Sequence, residues 1–299
     1  MYKLTIIDYT PLLYKVVNNC RKDKVRGDDF SYYKETLLGE LQEILVNTDA
    51  DYYYCFGDGF TSFRKQKFSS FKANRTHAYL KFRHDLAHWA EENFNVIKSN
   101  IFESDDLVAL YSKLDYCIDI DSLAAVDNIL NINLSTEDVK ITIASVDSDM
   151  MQLEGTIYWN NNFKTISKEE AKINFYRDIL MRGHNNKLDY LEKCGKDTAT
   201  KYLEAIDKDK LNIYWILKAF ISGIDKIYYP NIRSTIAGYG IQEGSAKFAR
   251  AYEQTYLIQS LVEAKILDEE FKLEQPTKVN LILEYEDNRT KEKDISEVF

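Results

Sequence analysis

Three apolar runs in this 299-residue chain each end at or beside an aspartate. Leu4-Thr5-Ile6-Ile7 is followed by Asp8. Asp51 to Phe56 leads through Gly57 to Asp58. Val139 to Val146 runs into Asp147, with Asp149 two residues on. A fourth acidic group, Glu103-Ser104-Asp105-Asp106, precedes the apolar run Leu107 to Leu110. One aspartate at a strand end is commonly a cap or turn former, and acids ahead of an apolar helical run suit a helix N-terminus. Seven carboxylates brought to one place are a different matter, because without a cation they repel one another strongly. An oxygen-rich set with neither His nor Cys suits Mg²⁺ or Mn²⁺ rather than zinc. Two such ions about 4 Å apart activate water and stabilise the leaving oxygen of a phosphodiester.

The elements that would position these acids form an α/β pattern. Leu4–Ile7, Asp51–Phe56 and Val139–Val146 read as buried strands, separated by helical stretches at Tyr32–Val46, Asp85–Lys98 and Asp105–Lys113. In an open parallel sheet, ligands bind at the carboxyl ends of the strands, so one rim collects Asp8, Asp58, Asp147 and Asp149. Strand spacing of two puts Asp147 and Asp149 on one side. Glu103 and Asp106, three apart, face one way across a first helical turn. A hairpin is expected at Asn160-Asn161-Asn162, since asparagine tolerates the left-handed backbone of turns. Beyond residue 165 the pattern turns helical: Lys168–Met181, Lys187–Cys194, Thr198–Ala205, Ile213–Ile221 and Ala246–Ala264. The sequence therefore divides into an α/β part, 1–165, and a helical part, 166–299. Lys278–Tyr285 reads as a strand or a partner-binding segment, in an acidic tail whose last ten or so residues are expected to fray.

Composition removes other classes. No stretch approaches the roughly 18–20 apolar residues of a membrane helix, and the first apolar run is too short for a signal peptide. Four widely spaced cysteines without a CxxC pair read as reduced thiols of a cytoplasmic protein. The net charge is −9, from 48 acids and 39 bases, which by itself argues against a nucleic-acid partner. Its distribution reverses that reading. Residues 61–84 carry Arg64, Lys65, Lys67, Lys72, Arg75, Lys81 and Arg83 with no acid, interleaved with Phe60, Phe63, Phe68, Phe71, Tyr79 and Phe82. Basic side chains attract phosphates, and aromatic rings stack on unpaired bases or pack on each other.

Ser145-Val146-Asp147-Ser148-Asp149-Met150-Met151-Gln152-Leu153 resembles the S-x-D-x-D-x-x-Q-L signature of the 5′ nuclease (flap endonuclease/5′→3′ exonuclease) family. Glu103-Ser104-Asp105-Asp106 resembles that family's E-A-D-D, with Ser for Ala, and Ile6-Ile7-Asp8 resembles its N-terminal strand. Phe56-Gly57-Asp58-Gly59, with Phe63-Arg64-Lys65 and Phe71-Lys72-Ala73-Asn74-Arg75, resembles F-D-G…R-K…Y-K-x-N-R, except that Gly57 intervenes before the aspartate. The size is most similar to the phage RNase H/exonuclease branch. The resemblance implies a PIN-like, largely parallel sheet flanked by helices, followed by a helix–turn–helix-type DNA-binding half. It implies that Asp8, Asp58, Glu103, Asp105, Asp106, Asp147 and Asp149 are catalytic metal ligands or neighbours of them. Two Mg²⁺ ions, for which Mn²⁺ can substitute, are the implied cofactor. A basic arch is implied over about residues 60–98, with Lys72 and Arg75, then Arg64, as phosphate contacts and Lys65, Lys81 and Arg83 beside them.

In the helical half, Ile221-Ser222-Gly223-Ile224-Asp225-Lys226 resembles G-D-x-x-D-N with Asp225 retained as a metal ligand. Ser222 and Lys226 replace family residues, so a weaker or water-mediated second ion is expected. Gly238-Tyr239-Gly240-Ile241-Gln242-Glu243-Gly244-Ser245-Ala246-Lys247 loosely resembles a phosphate-gripping G-x-G-I-G-x-K-T-A loop. Gly238, Gly240 and Lys247 are its candidates, since glycines let backbone N–H groups approach a phosphate. The implied activity is Mg²⁺-dependent 5′→3′ exonuclease, flap endonuclease or RNase H cleavage of DNA and RNA–DNA junctions in replication. Such a protein is expected to be a monomer in the (host, if phage-encoded) cytoplasm, with a single-strand-binding protein or sliding clamp as partner. Two other readings stay open: a cleavage-deficient, structure-specific DNA-binding protein, and a PIN-type ribonuclease.

Overall fold

β1 (Lys3–Asp8) is buried from Leu4 onward, as a central strand covered on both faces must be. The computed structural model describes residues 2–68, 82–114, 139–181 and 190–279, with the backbone of Tyr116–Asp119 and Ser122–Ala125. After β1 come α1 (Tyr9–Cys20), α2 (Phe30–Asn47), β2 (Tyr52–Asp58), α3 (Phe63–Lys67), α4 (Arg83–Asn93), β3 (Val96–Ser99) and α5 (Ser104–Ser112). A small ladder, β4 (Tyr116–Asp119) with β5 (Ser122–Ala125), precedes β6 (Lys140–Ala144). A 3₁₀ turn (Ser148–Gln152) leads to β7 (Gly155–Trp159), β8 (Asn162–Ile166) and α6 (Lys168–Leu180). The remainder is α7 (Lys196–Glu204), α8 (Ile213–Ser222), β9 (Gly223–Ile224), β10 (Ile236–Ala237), α9 (Ile241–Thr255), α10 (Leu261–Leu267) and β11 (Thr277–Lys278).

The main sheet runs β11-β2-β1-β6-β7-β8, with β3 on the same edge of β2 as β11. The central pairings, β2 with β1, β1 with β6 and β6 with β7, are parallel, as is β3 with β2. The β7–β8 hairpin and β11 are antiparallel. The hairpin turns at Asn160 and Asn161, whose φ values of 46° and 63° are the left-handed backbone expected there.

Two cores cover the sheet. Leu4, Ile6, Tyr54 and Phe56 pack with α5 and with Leu257, Ile258, Leu261 and Ala264. Ile7, Tyr53 and Cys55 pack with α1, α2 and α4 on the other face. A third core, drawn from residues 176–251, lies among α6 to α9. The chain returns from it to the first core through α10 and adds β11 to the sheet.

Several elements depart from the sequence expectation. The helix expected over Asp85–Lys98 stops at Asn93, and Val96–Ser99 pairs with β2, where β-branched Val96 and Ile97 complete the sheet edge. The single helix expected over Ala246–Ala264 is two. α9 starts earlier, at Ile241, because Gly240 (φ 79°) supplies its entry turn, and the chain breaks between Thr255 and Leu261. Residues 190–194, the described part of the expected Lys187–Cys194 helix, form a turn. Of Lys278–Tyr285, only Lys278 belongs to a described strand, and the rest lies outside the described residues. No helix among the described residues is long and apolar enough to cross a membrane.

Candidate metal centre

Asp8 ends β1 and stands at the N-cap of α1, yet its side chain does not cap that helix. Instead its two carboxylate oxygens accept hydrogen bonds from Ser104 Oγ (2.9 Å) and Ser145 Oγ (2.8 Å). It is 1 % exposed. Burial pushes its carboxyl up to about 8, the negative charges of Asp147 and Asp58 push the same way, and the two serine hydroxyls act against them. A carboxyl held in this condition is one that a nearby cation would ionise.

The strand register explains why Asp58, and not position 57, reaches this group. Asp8 pairs with Phe56 across the parallel ladder, so Asp58, two residues on, shares their face. Gly57 points to the other face, where an added Cβ would lie 3.1 Å from Val96 Cγ1. The Asp58 backbone N–H donates to Thr10 Oγ1 at 2.8 Å, and its carboxylate accepts the Ser104 backbone N–H at 2.9 Å. Ser104 therefore bridges the two strand-end aspartates, one through its hydroxyl and one through its backbone.

Ser104 opens α5, and the acids around it form that helix's first turn. Glu103 and Asp106 make a reciprocal capping box, in which Asp106 accepts the Glu103 N–H at 3.3 Å. Ligand atoms of Glu103, Asp105 and Asp106 all lie within 4.8 Å of one another, with Glu103 and Asp106 buried. Asp147 caps the 3₁₀ turn by accepting the Asp149 N–H at 3.1 Å. Strand alternation does not relate Asp147 to Asp149, because β6 ends at Ala144 and both lie in the turn beyond it. Asp147 still comes near enough to Asp8 to perturb its ionisation.

The basic residues divide. Arg64, expected as a phosphate contact, is corrected by the structure: it is 1 % exposed and binds Asp106 through both terminal nitrogens, with Glu103 at 3.4 Å. Burial works against its charge, but the neighbouring Asp106 holds the guanidinium protonated. Lys65 is exposed, and Arg83 lies on the Tyr14 ring, 5.4 Å from its centroid. Both line a cleft of about 280 Å³ beside Asp58, with His84 and Lys98 on its wall and the almost fully exposed Phe60 at its edge. Lys72, Arg75 and Lys81 lie outside the described residues.

Asp225 follows β9, and its carboxylate is taken locally by the Ile227 N–H (2.9 Å) and Thr235 Oγ1 (3.3 Å). It is not part of the Glu103–Asp105–Asp106 group. Gly238 lies against the end of α8, where an added Cβ would come 2.4 Å from Ile221 O. The N–H groups of Tyr239 and Gly240 bond to the carbonyls of Phe220 and Ile221, so this loop caps α8 and those two donors are occupied. Lys247 sits 4.5 Å over the Tyr239 ring, with Glu243 at 3.8 Å.

No protein-family model matches the sequence, and no curated protein matches it. Solved structures do. A T5 5′-exonuclease with bound zinc ions is 12 % identical, covers 97 % of this chain and 98 % of its own, and superposes with a TM-score of 0.58. A bacteriophage T5 flap endonuclease, in a pseudo-enzyme–product complex with DNA and metal ions, is 13 % identical over 89 % of each chain, at 0.53. The fold is that of the T5 5′-exonuclease.

Three participants at the rim of this 5′-exonuclease fold escaped the sequence reading. Ser145 opens the S-x-D-x-D-x-x-Q-L stretch, and its hydroxyl is one of the two donors to Asp8. Ser104 stands where the family motif has Ala, and its hydroxyl is the other donor to Asp8. Thr10 fixes the end of β2 from the first turn of α1. Hydroxyl residues beside acids at strand ends were the available signal.

Proposed function

We propose that this protein is a divalent-metal-dependent 5′ nuclease that cleaves phosphodiesters at DNA or RNA–DNA junctions. The supporting observation is the Asp8–Ser104–Asp58 bridge beside Glu103 and Asp105, at the carboxyl rim of a parallel sheet with the T5 5′-exonuclease fold. The donor set fits a hard cation. It is carboxylate and hydroxyl with no His or Cys, and Asp8 is a buried acid that burial and the neighbouring Asp147 push up to about 8, a shift that a bound cation would oppose. Asp8, Asp58, Glu103, Asp105, Asp147 and Asp149 are the residues that would hold Mg²⁺ or Mn²⁺. Bound there, the metal supplies Lewis-acid activation of water and of the scissile phosphate.

The chain's own residues do the rest. Ser104 and Ser145 orient Asp8, and the capping box orients Glu103. Lys65, Arg83 and the exposed Phe60 line the cleft beside Asp58, where a single-stranded 5′ end would lie with its phosphates on the cations and a base on the ring. Residues 1–165 would carry the chemistry, and residues 166–299 would hold the duplex through α8, α9 and the loop between them. Lys72, Arg75 and Lys81 would complete the basic arch. Removal of flaps or RNA primers in DNA replication, in the cytoplasm and beside a single-strand binder or clamp, is the role that suits such an enzyme.

A 5′-labelled flap duplex incubated with Mg²⁺ tests the reading. Wild type should release product, and Asp147→Asn or Asp149→Asn should cut cleavage by about a hundredfold or more, since a metal's Lewis-acid action supplies several kcal/mol. Duplex binding should persist in both variants. Binding without product in wild type would instead support a cleavage-deficient binder. The local engagement of Asp225 and the Lys226 beside it are the observations that favour this second reading.

A further inference from the structure

Arg64 is a cation among the largest fully buried side chains of the protein. It joins the start of α5 to the end of α9, whose carbonyls lie 189 and 192 residues from Arg64 in sequence. On one side its terminal nitrogens grip Asp106, with 2.7 Å from Nη2 to Oδ1. On the other, Nε donates to Glu253 O at 3.3 Å and Nη2 donates to Tyr256 O, both at the carbonyl end of α9. A cation there suits the negative end of the helix dipole. The Ile258 N–H, from the break after α9, donates to the same Asp106 at 3.2 Å. With the Glu103 N–H added, both Asp106 oxygens are committed to protein donors. Asp106 is thus a rivet within the Glu103–Asp105–Asp106 group, and the same guanidinium reaches Glu103 at 3.4 Å.

We propose that Arg64 is a positioning residue that couples the seating of α9, through Asp106 and Glu103, to the carboxylates of the proposed metal site. α9 belongs to the half assigned to the duplex, so a shift of its end when duplex binds is transmitted through the guanidinium to Asp106. The first turn of α5 follows. The inference rests on the metal-dependent nuclease reading and adds a physical link between its two halves.

The test is Mn²⁺ uptake by electron paramagnetic resonance, on the full chain, with and without a nicked duplex. In wild type, duplex should tighten Mn²⁺ binding, and Mn²⁺ should tighten duplex binding by the same factor. Arg64→Lys and Arg64→Gln should weaken Mn²⁺ binding by about 10- to 100-fold, as loss of an outer partner of the ligand Glu103 does. Both should abolish the mutual tightening, and raised Mg²⁺ should restore part of the lost kcat while leaving KM for the duplex unchanged. Variants that lose thermal stability but keep wild-type Mn²⁺ affinity and coupling would overturn the proposal and leave Arg64 a packing residue. Hydrogen exchange on wild type needs no variant to fold. Mn²⁺ should slow exchange at the Ile258 amide together with residues 103–106, and protection confined to 103–106 would also overturn the link. A wild type that takes up no Mn²⁺ removes the nuclease reading itself, and this inference with it.

Discussion

Asp8→Asn should make the metal-free protein more stable while destroying its activity. An unfolded chain ionises this carboxyl near its ordinary value of 3.8, whereas the folded protein holds it at about 8, chiefly by burial. The folded state therefore keeps a proton that the unfolded state has released over the whole interval between those values. For a carboxyl raised in this way, stability is greatest below 3.8 and is lost as pH rises toward 8. At pH 7 the mismatch costs at most about 4 kcal/mol. The neutral amide removes that cost. It also keeps both serines engaged, accepting from one hydroxyl and donating to the other's oxygen. Urea unfolding in EDTA at several pH values reads this directly. The variant should exceed wild type at pH 7 by up to about 4 kcal/mol, on the order of 10 °C in Tm, and the gap should close toward pH 4. Added Mg²⁺ should then stabilise wild type and not the variant, because ligand that binds only the folded state raises its stability by mass action. A variant less stable than wild type at pH 7, or a gap independent of pH, would refute the assignment of Asp8 as a buried, proton-holding acid.

Other outcomes follow from the same geometry. Ser104→Ala removes the 2.9 Å bond to Asp8 but keeps the backbone N–H on Asp58. A hydrogen bond to a charged group is worth about 1.5–3 kcal/mol, so the acid limb of the pH–cleavage profile should move up by roughly one pH unit; an unmoved limb would separate Asp8 from the rate. Gly244→Ala sets a Cβ 2.7 Å from Phe220 O and 2.9 Å from Ile221 Cα. The crowding of α8 against α9 should cost about 1–3 kcal/mol in urea unfolding, outweighing the better helix propensity of Ala, and a stabilised variant would show that the helices yield. Lys65→Ala and Arg83→Ala should each flatten the salt dependence of binding to a single-stranded 5′ end by about 0.7 in log–log slope. Unchanged slopes would place the strand elsewhere than the cleft.

Much of this was legible in one dimension. Buried strands were visible because a strand covered on both faces needs an unbroken apolar run, and Leu4–Ile7 and Tyr52–Phe56 are such runs. The Asn160–Asn161 turn was visible because few other residues accept that backbone. The edge strand Val96–Ser99 was not, since only its pairing with β2 distinguishes it from a continued helix. The break after Thr255 was hidden for a similar reason: its Tyr256 carbonyl and Ile258 amide serve the Arg64–Asp106 pair, 150 or more residues away in sequence.

The acids illustrate the same division. Residue type and strand-end position nominated Asp8, Asp58, Asp147 and Asp149, because ligands gather at the carboxyl ends of parallel strands, and the acidic run before a helix nominated Glu103, Asp105 and Asp106. Charge counting alone marked residues 61–84 as unlike the rest of an acidic chain. Which members of each set face solvent, a metal or each other was decided only on folding. Arg64 and Lys65 are neighbours of the same charge, yet one is buried on Asp106 and the other is open to the cleft. The difference is a matter of which helix face meets the rest of the molecule, and that is a property of packing between distant segments that no local pattern encodes.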